Sequence, residues 1–558
     1  MFPARLACGT RLRPPARACW RSLVPTPKLT LFKVGIAIGV AGLVLYATND
    51  TAKHVILTTE RIGVVTAATA RCFLLYKDVL GKEFSSKAER TAELNKTHQK
   101  AAEITLRALE KNGGIYIKLG QHITALTYLL PKEWTDTMLP LQDRCPRSSL
   151  EEIEQLFIKD MGKPMSELFS SFDPEPVGVA SLAQVHIATL KETGEKVAVK
   201  IQHPTLQEFV PLDIYLTKTV FNLMYRFFPE YPLTWLGEEM QASIYVELDF
   251  TNEAENARKT AQYFQNFTRE TALRIPTIVA AQKRVLIMEY VAGSRLDNLE
   301  YLNQHNIHPH EVSSCLSHIF NNMIFTPDVG LHCDPHGGNL AIRSVDKRTS
   351  PSGHNFEIVL YDHGLYRQIP LQMKREYSHF WLSVLDGDVP KMKEYAGKFA
   401  GIEGDQKFRI FAAAITGRSP ENALNYDISK ARSTDEIKNI QSQLLSTDGI
   451  LEDLMYILSS MPRIVLLILK TNDLTRNLDE SLSNPLGPER TFLIMANYCA
   501  KVVYDESKER IAATYSKYSV RATLEYARTW WAYQRRISTL YIYDFIMMVR
   551  NLRHQFLS

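Results

Sequence analysis

Along this chain of 558 residues the spacing of hydrophobic and polar positions changes several times, and the changes mark its elements. From Val34 to Ala47 no residue is charged and nearly all are apolar. With Leu29 to Phe32 in front, and Lys33 able to carry its ammonium to the interface, the block reaches roughly the 20 residues that cross a bilayer. A transmembrane helix is predicted over 29–49, with a shorter interfacial or core helix as the alternative. Gly35 and Gly39 give it a small-residue face suited to pairing in lipid, a route to a homo-oligomer. The stretch 50–147 reads as a helical extension. Apolar residues from Ala101 to Leu109 recur at helical spacing, and Asn112-Gly113-Gly114 stops the run. Ile115 to Gln121 then reads as an amphipathic helix, with Lys118 as one of its cations.

The period shortens after residue 148. Pro176 to His186 is a tight small-residue turn running into a strand, and Thr193-Gly194-Glu195 turns into a second strand, Lys196 to Ile201. Glu247 to Ala257 reads as one acidic helix, and Val285 to Tyr290 as a buried strand. These elements define a small lobe over 148–290 and a larger one over 291–480. From about Leu371 the pattern is long helices, closing in a basic, aromatic segment over 481–558. Lys508 to Ser558 holds nine Lys/Arg against three Asp/Glu, interleaved with Trp530, Trp531 and several tyrosines. Such helices suit an anionic lipid surface; packing on the lobe with a solvated basic face is the alternative.

Composition changes this picture little. Apolar content of 45%, charged content of 23% and a net charge of +4 are ordinary for a globular chain and give no reason to expect nucleic acid. The ends say more. Residues 1–49 contain no acidic residue but carry five arginines and two lysines. That is the character of a mitochondrial presequence, predicted over 1–28, with a disordered basic tail as the alternative. The positive-inside rule then places the rest of the chain in the intermembrane space. None of the seven cysteines forms a C-x-x-C pair, so no disulfide framework or zinc site is expected.

The candidate chemistry lies in ordered pieces. Asp334, Asn339 five residues later, and Asp362-His363-Gly364 after a strand are the arrangement by which a kinase-like fold builds a phosphoryl-transfer site. Asp334 would orient the attacking group, while Asn339 and Asp362 would hold Mg2+, which needs only a few hard oxygen ligands besides phosphates and water. Upstream, Lys200 ends a V-A-V-K strand and would reach the phosphates of ATP, with Glu253 as its partner; a solvated acidic face is the ordinary alternative for that run. Gly178, Ala180 and Ser181 form the phosphate loop. Ala180, Ser181 and Ala183 put Cβ atoms where a glycine-rich loop would close, which implies an altered nucleotide pose. Glu289 marks the hinge strand that would bind adenine through its backbone. His332 and His336 are set aside as metal ligands, because Pro335 between them interrupts a helix.

These motifs together resemble the UbiB family of atypical kinases, also called aarF-domain-containing kinases. Lys118-Leu119-Gly120-Gln121 resembles its K-x-G-Q motif, Gly178 to His186 its alanine-rich loop, Glu247-Leu248-Asp249 its E-x-D, and His332 to Asn339 its H-A-D-P-H-P-G-N. Asp362 to Tyr366 and Leu466 to Leu474 resemble a mitochondrial branch linked to lipid homeostasis. The resemblance implies an α+β, two-lobe kinase-like fold with the helical extension over the active site. Carried over, Lys118 and Gln121 would face the nucleotide and Glu247 would pair with Lys118. It also implies an Mg-ATP-dependent kinase or ATPase of the mitochondrial inner membrane, acting on lipid or isoprenoid metabolism. Cys333 in place of the arginine of H-R-D, and no A-P-E after Asp362, argue against a protein kinase. The alternative is a catalytically silent scaffold or lipid-binding protein with nucleotide-gated contacts.

Overall fold

The computed structural model describes residues 49–125, 130–142, 145–229, 233–327, 329–333, 337–416, 457, 461–482, 487–516 and 519–557. The predicted presequence, the predicted transmembrane helix with its Gly35/Gly39 face (all but Asn49), and Asp334 lie outside the described residues. Contacts divide the chain into residues 1–64 and 65–558. Of the described residues, the first unit supplies the opening turns of helix α1 (Asp50–Leu80). Among the described residues no helix is long and apolar enough to cross a membrane.

In the larger unit the described part of the extension is helical. Helix α2 (Lys87–Asn112) starts where the Ser86 hydroxyl accepts a hydrogen bond from the Glu89 N–H, and it ends on Gly113 at φ 63°. A side chain at that φ would strain the backbone, which is why glycine closes the helix. Helix α3 (Ile115–Ala125) follows at once and lies against the 3₁₀ turn Leu139–Gln142. The approach is close enough that a Cβ on Gly120 would stand 2.1 Å from Leu141 Cδ1. A capped helix α4 (Leu150–Met161) then leads into the small lobe.

That lobe is an antiparallel sheet in the order β1 (Phe169–Phe172), β3 (Ala183–Leu190), β4 (Lys196–Gln202), β7 (Val285–Glu289), β6 (Ile278–Ala281), with β2 (Gly178–Val179) also paired to β3. Alternation along β4 sends Val197, Val199 and Ile201 into a core with Phe157 of α4. Lys200 therefore faces the other side, opposite Val185 and Leu286 in the neighbouring strands. Helix α5 (Leu206–Phe227) and helix α6 (Thr234–Glu247) pack together before helix α7 (Phe250–Phe264) covers the Lys200 face.

The single helix predicted from Glu247 to Ala257 is two helices. Asp249 breaks the run, because its carboxylate accepts from the Thr251 N–H and caps α7 instead of sitting inside a helix. Glu247 thus closes α6 while Glu253 lies in the first turn of α7.

The larger lobe is built around helix α8 (Pro309–Phe325). It carries a sheet in which β10 (Phe356–Leu360) runs parallel to β5 (Leu273–Arg274) and antiparallel to β9 (Leu340–Ser344). A ladder of β8 (Leu331–His332) with β11 (Tyr366–Arg367) ties the two ends of the predicted catalytic stretch, pairing His332 with Tyr366. After β11 the described elements are helices: α9 (Leu371–Asp386), α10 (Val389–Ala400), α11 (Asp405–Thr416), α12 (Arg463–Ser481), α13 (Gly487–Thr514) and α14 (Val520–Leu557). Their shared core is aromatic, with Tyr377, Phe380, Phe399 and Phe411 all buried. The fold is α+β with two kinase-like lobes, as the motifs imply.

Candidate active site

The site forms where the Lys200 face of the small sheet meets the turn after β10. Lys200 Nζ lies 2.7 and 2.9 Å from the two Glu253 oxygens, 3.4 Å from Asp362 Oδ1, and 5.1 Å from the centre of the Phe250 ring. Glu253 is nearly closed off from solvent at 3% exposure. Around the same point Lys118 Nζ pairs with Glu247 at 3.0 Å, and both of these side chains are mostly buried. A Cβ placed on Gly364 would sit 3.4 Å from Asp362 Oδ1, 3.9 Å from Glu247 Cγ and 4.0 Å from Glu253 Oε2, so one small volume gathers all three carboxylates. They face two ammonium groups, leaving one surplus negative charge when every group is ionised.

The Asp362-His363-Gly364 turn is held from several sides. His332 Nε2 lies 2.9 Å from the Asp362 carbonyl, and His363 Nε2 lies 3.2 Å from the Leu360 carbonyl. Carbonyls only accept, so each ring carries a proton on Nε2. His363 Nδ1 is then free to accept from the Tyr366 hydroxyl at 2.9 Å. Asn256 donates to the His363 carbonyl at 3.0 Å, and the Gly364 N–H donates to Asp362 Oδ1 at 3.2 Å. Asn339 donates its amide to Asp362 Oδ2 at 3.2 Å.

Burial and charge set the protonation states against one another. Burial opposes ionisation of Asp362, yet Lys200, His332 and Lys118 hold its carboxyl well below the usual carboxylate range. Burial pushes Glu253 up to about 7 against the pull of Lys200, with Asp362 adding to the rise. Burial also works against the Lys200 ammonium, but its two carboxylate partners outweigh it and raise its pKa. His363 is driven down to about 3, first by burial and then by His332, so it stays neutral.

Half of the twelve predicted site residues meet here: Lys118, Lys200, Glu247, Glu253, Asn339 and Asp362. Three others are placed as follows. Gln121 commits its amide to the Leu141 carbonyl, donating at 3.0 Å and bracing the extension's own turn. Glu289 turns its carboxylate to Arg274 at 2.5 Å and to the Thr277 N–H at 3.1 Å, and its N–H is spent on the Thr277 carbonyl. Its own carbonyl is the group a hinge role would use. Ala183 buries its methyl group with Phe250 and Ala254 rather than presenting it to phosphates. Gly178 pairs with Val185 with open space on its Cβ side, Ala180 is exposed and Ser181 is buried.

Sequence reasoning missed what holds that loop. The Ala180 N–H donates to the Ala183 carbonyl at 2.8 Å, and the Ala180 carbonyl accepts from His203 Nε2 at 3.0 Å. His203 Nδ1 in turn accepts from the Ser148 hydroxyl at 2.8 Å, and the Ser148 N–H donates to buried Gln184 at 2.9 Å. Gln184 reaches His186, whose Nδ1 donates to the Asp173 carbonyl at 2.8 Å. Two polar residues at alternate positions of an otherwise apolar strand were the available signal.

Among the described residues no cluster of three His, Cys, Asp or Glu forms a ready metal site. Asn339 and Asp362 with the surplus negative charge fit a hard divalent cation whose other ligands are water and phosphate oxygens.

A family model described as the ABC1 atypical kinase-like domain matches residues 140–396. The chain is 60% identical to the ABC1 family protein MCP2 of Saccharomyces cerevisiae over 91% of its own length and 90% of that protein. It is 45% identical to the MCP2 homolog of Schizosaccharomyces pombe, over 86% of this chain and 85% of the relative. With the AarF domain-containing protein kinase 1 of Mus musculus it shares 32% identity over 93% and 94%. These full-length matches agree with the lysine–glutamate–aspartate arrangement: the chain belongs to the ABC1, or AarF-domain, family of atypical kinases, the UbiB family.

Proposed function

We propose that this protein is an Mg-ATP-dependent atypical kinase or ATPase of the mitochondrial inner membrane, acting on a lipid or isoprenoid substrate. The carrying observation is Lys200 held between Glu253 at 2.7 Å and Asp362 at 3.4 Å, with Asn339 on the far oxygen of Asp362. Lys200 orients the phosphates, and Glu253 keeps its ammonium aimed. Asp362 and Asn339 offer oxygens to magnesium, whose contribution when bound is to offset charge on the phosphate oxygens. Asp334 takes the place of the carboxylate that orients the attacking hydroxyl or water. The acid-free, arginine-bearing leader supports the mitochondrial location, with the kinase-like part in the intermembrane space. Pairing through Gly35 and Gly39 is part of the same reading.

The buried Lys118–Glu247 pair beside the triad favours a second reading, a nucleotide-gated scaffold or lipid-binding protein, because it fills space that a bulky acceptor would need. Phosphate release from Mg-ATP by the whole protein, with and without cardiolipin-containing vesicles, separates the two. On the enzymatic reading Asp362→Asn lowers turnover by about 10² or more. Turnover undetectable in both proteins with nucleotide binding intact, or restoration of lipid composition in a null cell by Asp362→Asn, refutes catalysis.

A further inference from the structure

The last helix, α14, is apolar on two opposite faces, and among the described residues only one of them is packed. Its inner face carries Ala522 and Leu540, both buried, with Leu540 packed against Leu493 and Ala496 of α13. Tyr533 stacks on Tyr504 with ring centres 4.6 Å apart. Arg536 forks onto Asp386 at 3.0 and 2.8 Å, and Asp544 pairs with Arg490 at 3.2 Å. These contacts fix the rotation of the helix about its axis.

The outer face is a second stripe. Val520, Leu524, Trp531, Ile542, Phe545 and Val549 are all exposed, from 46% for Val549 to 76% for Val520. At about 100° per residue they fall within roughly 60° of one another, on the side opposite Ala522 and Leu540. At about 1.5 Å per residue the stripe is about 44 Å long. An apolar band of that length on a monomer calls for a partner.

Charge and residue type indicate which. Arg521, Arg528 and Arg535 recur every seventh residue along one border of the stripe. Trp530 and Tyr541 are exposed along the other. The only acidic residues of α14 are Glu525 and Asp544. Glu525 lies outside the stripe and pairs with Arg528 at 2.9 Å, and Asp544 faces α13. Exposed aromatics with arginines beside them match the boundary between lipid headgroups and acyl chains, where cations meet anionic phosphates. A helix whose inner face is committed to protein can only lie in the plane of such a surface.

We propose that the outer face of α14 is an in-plane docking surface for an anionic phospholipid bilayer, holding the kinase-like lobes against the membrane. The proposal rests on the membrane part of the reading above and is independent of its catalytic part.

The test uses the full-length protein and vesicles of phosphatidylcholine with and without cardiolipin. Substituting Leu524→Gln, Trp531→Gln and Phe545→Gln together should lower by about tenfold or more the protection of α14 from hydrogen exchange that vesicles confer, a readout that anchoring through residues 29–49 leaves unchanged. Arg521→Gln, Arg528→Gln and Arg535→Gln should each cost roughly fivefold on cardiolipin vesicles and little on neutral ones. Brominated lipids should quench tryptophan emission, and Trp530→Phe with Trp531→Phe should remove most of that quenching. Basal phosphate release without vesicles should be unchanged in all of these variants. If the native protein binds no vesicles, the membrane reading fails and this proposal with it. If it binds and α14 is equally protected and equally quenched in the α14 variants, only the assignment to α14 fails. A concentration-dependent dimer dissolved by the outer-face variant, without vesicle binding, would overturn the lipid partner in favour of a second copy.

Discussion

Glu253→Gln should change how stability depends on pH, with a sign that follows from the site. In the fold, burial pushes the Glu253 carboxyl from an ordinary 4.5 up to about 7, Lys200 opposing and Asp362 adding to the rise. Between those values the unfolded chain releases the proton and the folded protein keeps it. The folded state then binds more protons, so this group makes stability fall as pH rises from about 4.5 to about 7, and adds no further slope above. At about 1.4 kcal/mol per pH unit, the ceiling is on the order of 3 kcal/mol, lowered by coupling to Lys200. Glutamine keeps the shape and removes the titration. Asp362 and Lys200 titrate far outside the window, so they drop out of the comparison. Denaturant midpoints measured at steps from pH 4.5 to 7.5 should fall more steeply for the native protein than for the variant. Turnover should show the matching limb: below pH 7 the protonated Glu253 loosens Lys200 toward Asp362, and phosphate release declines in the native protein but starts low and flat in the variant. Identical pH slopes for both proteins would refute the charge arrangement inferred here.

Two other substitutions probe the surrounding architecture. Gly120→Ala drives a methyl to 2.1 Å from buried Leu141 Cδ1, so it should destabilise the extension by about 1–3 kcal/mol, read as a lower thermal midpoint. His203→Ala removes the donor to the Ala180 carbonyl and the acceptor for Ser148. It should raise the KM for ATP several-fold with a smaller effect on kcat, because it loosens the loop and leaves Lys200 in place; a change in kcat alone would contradict that role.

Local signals were sufficient wherever one element decided the outcome. Asn112-Gly113-Gly114 announced a helix end because a positive φ is cheap only without a Cβ. Alternation in β4 puts Lys200 on one face of its strand, and the ordered motifs by themselves carry the family resemblance. Tertiary structure decided the pairings. Lys200 meets a glutamate 53 residues away and an aspartate 162 residues away, and no periodicity selects Glu253 over its acidic neighbours. That choice came from Asp249, which ends one helix and starts the next, so that Glu247 and Glu253 enter one site from different helices. Gln121 sits one turn beyond Lys118, yet it turns to the Leu141 carbonyl because a buried acceptor there needs a donor. In α14 the sequence showed basic and aromatic residues interleaved, but a wheel of apolar positions cannot say which face the protein keeps. Packing against α13 settled that, burying Leu540 and leaving Trp531 outside. Sequence encodes the period and chemistry of each element; which side chains converge depends on distant backbone brought together by burial, and only the folded chain carries that information.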